Sequence, residues 1–328
     1  MDLDIVFLGT SGSGPTAQRS PAATLIRRGG DRILVDCAEG TQRQLMRSSI
    51  GLPELPEVFL THFHADHYLG LPGMLKTFGL RGRTEPLTIY GPRGLSRFFA
   101  EQAGLFGIGA LPYPYELREL EPGDELGRGD YRLVAFAVRH RVRALGYALI
   151  EPPRPGRFDV EAADALGVPA PRRGALQRGE TIELDSGRSV TPDEVLGPPR
   201  AGRKLVFAGD TMPSESVLEI AARADVLVHE ATFCEDERER AHETWHSTAA
   251  DAARVALAAD VSMLALTHLS GRYSGGDVRR EAAEIFPSTV VPRDFDVIEV
   301  PYPERGEPQL VKAGALPVRE AEPLSSPR

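Results

Sequence analysis

The chain is poor in cysteine, in basic charge and in long apolar runs, and each shortage excludes a class of protein. Only two of the 328 residues are cysteines. Cys37 and Cys234 lie in unrelated contexts without C-x-x-C spacing, which removes a disulfide framework and a cysteine-built zinc site. Such usage suits the reducing cytoplasm. No apolar run is long enough to cross a bilayer, and the start, Met1-Asp2-Leu3-Asp4-Ile5, lacks the basic residues and longer apolar stretch of a signal peptide. A formal net charge of −9 excludes a protein that holds nucleic acid with its whole surface, since phosphate affinity comes from clustered lysine and arginine. Local basic groups remain at Arg81 and Arg83, at Arg139, Arg141 and Arg143, and at Arg172, Arg173 and Arg178.

With 41% hydrophobic residues, the chain can bury one large core, as a single domain or as a domain with an insertion. Strand-like runs occur at 5–8, 33–35, 58–60, 87–90 and 133–138, and again at 204–208, 226–229, 263–267 and 297–300. Helical stretches alternate with them at 68–78, 94–103 and 248–258. Two similar halves, 1–151 and 201–303, are expected, with helices covering the outer faces of two packed sheets in a four-layer α/β body. Residues 152–200 interrupt this rhythm with many prolines, glycines and charges. Loops beyond roughly 12–15 residues are usually functional or disordered, so this stretch reads as an insertion, with a short helix at 160–166 and a hairpin at 181–189 turning on Asp185, Ser186 and Gly187. The tail 304–328 is rich in proline and glutamate and is expected to be poorly ordered and dispensable.

The chemistry concentrates at Thr61-His62-Phe63-His64-Ala65-Asp66-His67, where three of the eight histidines and an aspartate follow an apolar strand. Imidazole nitrogen and carboxylate oxygen are good zinc ligands. His140, Asp210 and His268 each follow a later buried strand, so the same rim of a sandwich could collect them all. Two cations held side by side could acidify a shared water and stabilise displacement at phosphorus. Glu230 and His246 are candidates for a proton-donating pair, although Glu230 could instead pair with an arginine and His246 could precede a helix as a cap residue.

In order and type, His62, His64, Asp66, His67, His140, Asp210 and His268 resemble the full ligand set of dinuclear metallo-β-lactamase-fold hydrolases. Further strings narrow the resemblance to the ribonuclease Z family: Phe7-Leu8-Gly9-Thr10, Asp36-Cys37-Ala38-Glu39-Gly40-Thr41-Gln42, His229-Glu230-Ala231-Thr232, His246-Ser247-Thr248 and Thr267-His268-Leu269-Ser270-Gly271-Arg272-Tyr273. Their ordered combination spans residues 5–273. The resemblance implies an αβ/βα sandwich with a protruding inserted arm. It also implies two Zn2+ ions per subunit, one on His62, His64 and His140, the other on Asp66, His67 and His268, with Asp210 bridging. His246, supported by Glu230, would protonate the leaving 3′ oxygen, and Asp66 could assist the attacking water as a base. The implied substrate is precursor tRNA, cut to release its 3′ trailer, and the implied assembly is a homodimer whose arm grips tRNA; the local charge fits, since residues 165–179 contain Arg172, Arg173 and Arg178 and no acid. The usual Pro-Pro-Gly-Pro turn of that arm is replaced here by Gly167-Val168-Pro169-Ala170-Pro171. Arg272 could contact RNA or pack. A small-molecule phosphodiesterase or arylsulfatase-like hydrolase, and a non-catalytic RNA-binding paralogue, are the competing readings.

Overall fold

The computed structural model describes residues 1–48, 50–52 and 55–314. Its first half builds β1 (Leu3–Gly9), β2 (Ala23–Arg28), β3 (Asp31–Val35), α1 (Thr41–Arg47), β4 (Glu57–Phe59), α2 (Ala65–Tyr68), α3 (Gly70–Leu80), β5 (Leu87–Pro92), α4 (Leu95–Phe106), β6 (Tyr115–Leu120), β7 (Glu125–Gly127), β8 (Arg132–Ala137) and β9 (Leu145–Ile150). Then come α5 (Val160–Ala165), α6 (Ala170–Gln177), β10 (Ile182–Glu183) and β11 (Ser189–Val190). The remainder builds β12 (Lys204–Phe207), α7 (Glu215–Ala221), β13 (Val226–Glu230), α8 (Arg238–Thr244), α9 (Ala249–Ala258), β14 (Met263–Thr267), α10 (Gly275–Ile285), β15 (Thr289–Val290), β16 (Val297–Glu299) and β17 (Gln309–Val311).

Two mixed sheets result, in the orders β17-β16-β1-β2-β3-β4-β5-β6 and β15-β14-β13-β12-β9-β8-β7. Period-two alternation decides which side chains go where. In β1, Leu3, Ile5 and Phe7 enter the core between the sheets, where they join Tyr147, Leu205, Phe207 and Val228. Val6 and Leu8 point the other way, into a second core with Leu45 of α1, Leu71 and Met74 of α3 and Leu95 of α4. Helices α7, α9 and α10 cover the second sheet, completing the four layers. Helix α9 starts sharply because Thr248 and Asp251 form a reciprocal capping box. Among the described residues no helix is long and apolar enough to cross a membrane.

Contacts divide the chain into one compact unit of Met1–Leu149 with the chain from Lys204 on, and a second of Ile150–Arg203. The second unit has its own small core of Ala163, Val168, Leu176, Ile182, Val190 and Val195. Its two ends are joined by a buried bidentate pair, Arg203 Nε to Glu151 Oε2 at 2.9 Å and Nη2 to Oε1 at 2.8 Å, which places its limits a little outside the compositional break at 152–200.

Several local expectations need correction. The helix expected over 68–78 is two, α2 and α3, and β2 and β9 were not anticipated. The stretch at 167–174 enters α6, because Pro171 falls in the first turn, where its missing N–H would have had no acceptor. Of the tail expected to be poorly ordered from Glu304, Gln309–Val311 instead pairs antiparallel with β16, and Leu310 packs against the main core. Residues 315–328 of that tail lie outside the described residues.

Candidate metal centre and catalytic site

The candidate groups sit where strands end. After β4 the chain runs through His62 and His64 into the single turn of α2, which carries Asp66 and His67. His140 follows β8, Asp210 follows β12 and His268 follows β14. Gly209 turns the chain at φ 63°, and a Cβ there would meet Thr61 Cγ2 at 3.2 Å, so glycine admits the close approach. His268 and Asp36 hold positive φ, 57° and 59°, without being glycine. Such strained backbone gathers at functional sites.

The structure brings all these groups to one place. Ligand atoms of His62, His64, His140 and Asp210 lie within 4.8 Å of one another, as do those of Asp66, His67 and His268, and those of Asp210, His246 and His268. Asp210 Oδ2 is the common member, 3.3 Å from Nε2 of both His67 and His268 and 3.8 Å from Nε2 of His62. The outward-facing ring nitrogens are engaged: His67 Nδ1 with Asp36 Oδ2 at 2.7 Å, His62 Nδ1 with Thr61 Oγ1 at 3.0 Å, His268 Nδ1 with Thr232 Oγ1 at 2.8 Å and His140 Nδ1 with the Trp245 carbonyl at 3.1 Å. This arrangement turns the Nε2 lone pairs inward. His62 Nε2, His67 Nε2 and Asp210 Oδ1 are then buried with no hydrogen-bond partner among the described residues. Each such atom costs about 1–3 kcal/mol if left unmet. Divalent cations satisfy all three at once, so the donor set fits a metal centre.

Charge supports this fit. Burial by itself would raise the Asp210 pKa, but His268, His67 and His62 hold it well below the carboxylate range. Burial likewise opposes ionisation of Asp66, and His268 and His67 overcome it. Beside the cluster, His246 Nδ1 lies 2.7 Å from Glu230 Oε1. Glu230 is fixed in turn by the Thr211 N–H at 2.9 Å and the Thr232 hydroxyl at 2.6 Å. Burial pushes the His246 pKa down, but Glu230, Asp210 and Asp66 more than offset this and raise it to about 9. These carboxylates favour the protonated ring.

The arginines considered for RNA contact also meet acids in the structure. Arg272 pairs with Glu237 at 3.2 Å. In the smaller unit, Arg173 is tied to Asp164 and to the Val168 carbonyl, Arg178 pairs with Glu180 at 2.8 Å, and Arg172 reaches Asp185 at 4.0 Å. An acid-free stretch of sequence is thus not acid-free in space. Asp36, Thr61 and Thr232 orient the site without having been singled out for it. Asp36 follows β3 directly, which marks the position in the sequence but not its partner.

Comparison with known proteins agrees with this geometry. Residues 17–168 match the model of the metallo-beta-lactamase superfamily. Ribonuclease Z of Myxococcus xanthus is 49% identical over 83% of this chain and 88% of its own length. Ribonuclease Z of Methanosarcina acetivorans is 45% identical over 92% of this chain and 99% of its own. The crystal structure of human tRNase Z, short form, superposes with a TM-score of 0.66 at 27% identity, covering 91% of this chain and 99% of that one. Relatedness of this extent shows that the chain belongs to the ribonuclease Z family.

Proposed function

We propose that the chain is the endoribonuclease that removes the 3′ trailer of precursor tRNA, leaving a 3′ hydroxyl on the tRNA and a 5′ phosphate on the trailer. The observation that carries the chemistry is the His246–Glu230 pair held against the ligand cluster, because breaking a phosphodiester needs both charge neutralisation and a proton for the departing oxygen. Near full-length relatedness to ribonucleases Z supports the substrate.

His62, His64 and His140 would hold one zinc ion and Asp66, His67 and His268 the second, with Asp210 between. Such a pair supplies an acidified water and offsets the charge that builds on the phosphoryl oxygens. Asp36 and Thr232 keep the ligand imidazoles in the tautomer that points inward. Asp66, besides holding the second ion, would assist the attacking water as general base. His246 donates its proton to the leaving 3′ oxygen, and Glu230 stabilises the imidazolium before transfer. We assign the unit at 150–203 to tRNA binding, through Arg172 and Arg178 more than the tied Arg173, in a cytoplasmic homodimer.

The test is cleavage of a 3′-extended precursor tRNA by purified protein, with product ends mapped and zinc content measured. Cleavage at the discriminator nucleotide that disappears in Asp210→Ala supports the reading. Intact tRNA alongside hydrolysis of a small phosphodiester would leave the fold and overturn the substrate.

A further inference from the structure

An aromatic side chain stands at the cluster that the chemistry above does not use. Trp245 is the single tryptophan of the chain, and it sits between α8 and His246 with 38% of its surface exposed. Its ring is a large apolar surface that burial would favour covering. The backbone is unfavourable too. Trp245 closes α8 at φ 63° and ψ 44°, a left-handed position that helix ends usually give to glycine or asparagine and bulky residues rarely adopt.

What this conformation provides is a fixed position. The Trp245 N–H donates to the carbonyls of Ala241 and His242, and its own carbonyl accepts from His140 Nδ1 at 3.1 Å. His140 and His246, the two residues that bracket it, have ring centroids 5.1 Å apart across the site. An open indole is thereby anchored one residue from the proton donor and one hydrogen bond from a metal-ligand candidate. The Arg139 guanidinium carbon lies 5.8 Å from the indole centroid, within the range of cation–π attraction. Arg139, Arg141 and Arg143 are all exposed, in a chain whose net charge is −9. Arg141 already donates to the Glu243 carbonyl, but purely apolar partners would leave Arg139 and Arg143 unmatched. A flat base attached to phosphates matches both the ring and the charge.

We propose that Trp245, backed by Arg139, is a stacking platform for the unpaired nucleotide that adjoins the scissile phosphate. The inference rests on the reading that RNA is the substrate. Stacking requires a base whose face is free, so the platform takes a single-stranded nucleotide and refuses one still enclosed in the acceptor helix. It thereby helps to set the cut at the junction of helix and 3′ tail, without reading which base is there.

Because the chain has no other tryptophan, the unmodified protein reports on this contact directly. Tryptophan emission is followed while the zinc-loaded protein is titrated with precursor tRNA whose scissile linkage is a non-hydrolysable phosphonate, and binding is measured in parallel by filter retention. The expected result is saturable quenching that follows binding and is lost when either the discriminator or the first trailer nucleotide is made abasic. Trp245→Leu should raise KM for precursor tRNA by about fivefold or more, and Trp245→Tyr should recover most of that. RNA that binds without changing the emission, or that quenches equally with each abasic position, overturns the platform and leaves the RNA reading standing. RNA that is neither bound nor cut overturns that reading, and the platform with it.

Discussion

Residues 150–203 and the strand-end cluster of the larger unit both bury carboxylates beside nitrogen bases, yet they leave their polar atoms in opposite states. In the smaller unit, Glu151 and Arg203 meet in a bidentate pair, and the Arg203 N–H adds a third bond to Glu151 Oε2 at 3.1 Å. In the larger unit, His62, His67 and Asp210 each keep a buried side-chain atom with no hydrogen-bond partner among the described residues, and nearby Asp36 and His268 hold left-handed backbone. Burial of charge is therefore a poor sign of function by itself. Burial with atoms left over, on strained backbone, is a good one.

The comparison can be broken most severely at Asp210. Asp210→Ala should lower kcat on precursor tRNA by about ten-thousandfold or more, with zinc content falling in parallel, and an active, fully metallated variant would end the metal-centre reading. His246→Ala should cost about a hundred- to a thousandfold in kcat while zinc content stays at the wild-type level, a split that separates proton donor from ligand. Glu151→Ala strands the Arg203 guanidinium in the interior and should destabilise the protein by about 3–5 kcal/mol in denaturant titrations, whereas Glu151→Met with Arg203→Met should come within about 1–2 kcal/mol of wild type. If the double variant were as unstable as the single one, the pair would be more than a structural tie. The smallest effect is a shift in pH dependence. The Glu230 carboxylate raises the His246 pKa, and the donor must be protonated to act, so activity falls as pH rises through that pKa. In Glu230→Gln the fall should begin at lower pH, and an unmoved alkaline limb would assign it to another group.

Much of this was legible because the relevant signals are local. Three histidines and an aspartate over 62–67, after an apolar strand, can hardly serve anything but a shared pocket, and His140, Asp210 and His268 carry the same signal one residue at a time. Short apolar and β-branched runs located β1, β5 and β14 for the same reason. What escaped depends on distance in sequence. Asp36 acts on His67 across 31 positions, and Thr232 acts on His268 across 36, so neither role can be read from neighbours. The acids that meet Arg172 and Arg173 escaped likewise, because a window of sequence cannot show that Asp185 and Asp164 fold back onto them, whereas Glu180 stands beside Arg178 in the sequence itself. Helix α6 was hidden by its prolines, which read as breakers unless the first turn is known to tolerate them.

The order of the gathered groups along the chain also bears on how the enzyme comes into being. His62, His64, Asp66, His67 and His140 are all made before residue 150, whereas Asp210, Glu230, His246 and His268 come after residue 203. A nascent chain halted anywhere in the intervening unit holds imidazoles with neither the central carboxylate nor the proton donor. Assembly of the site thus waits on the chain beyond residue 203, however early the first five groups are in place.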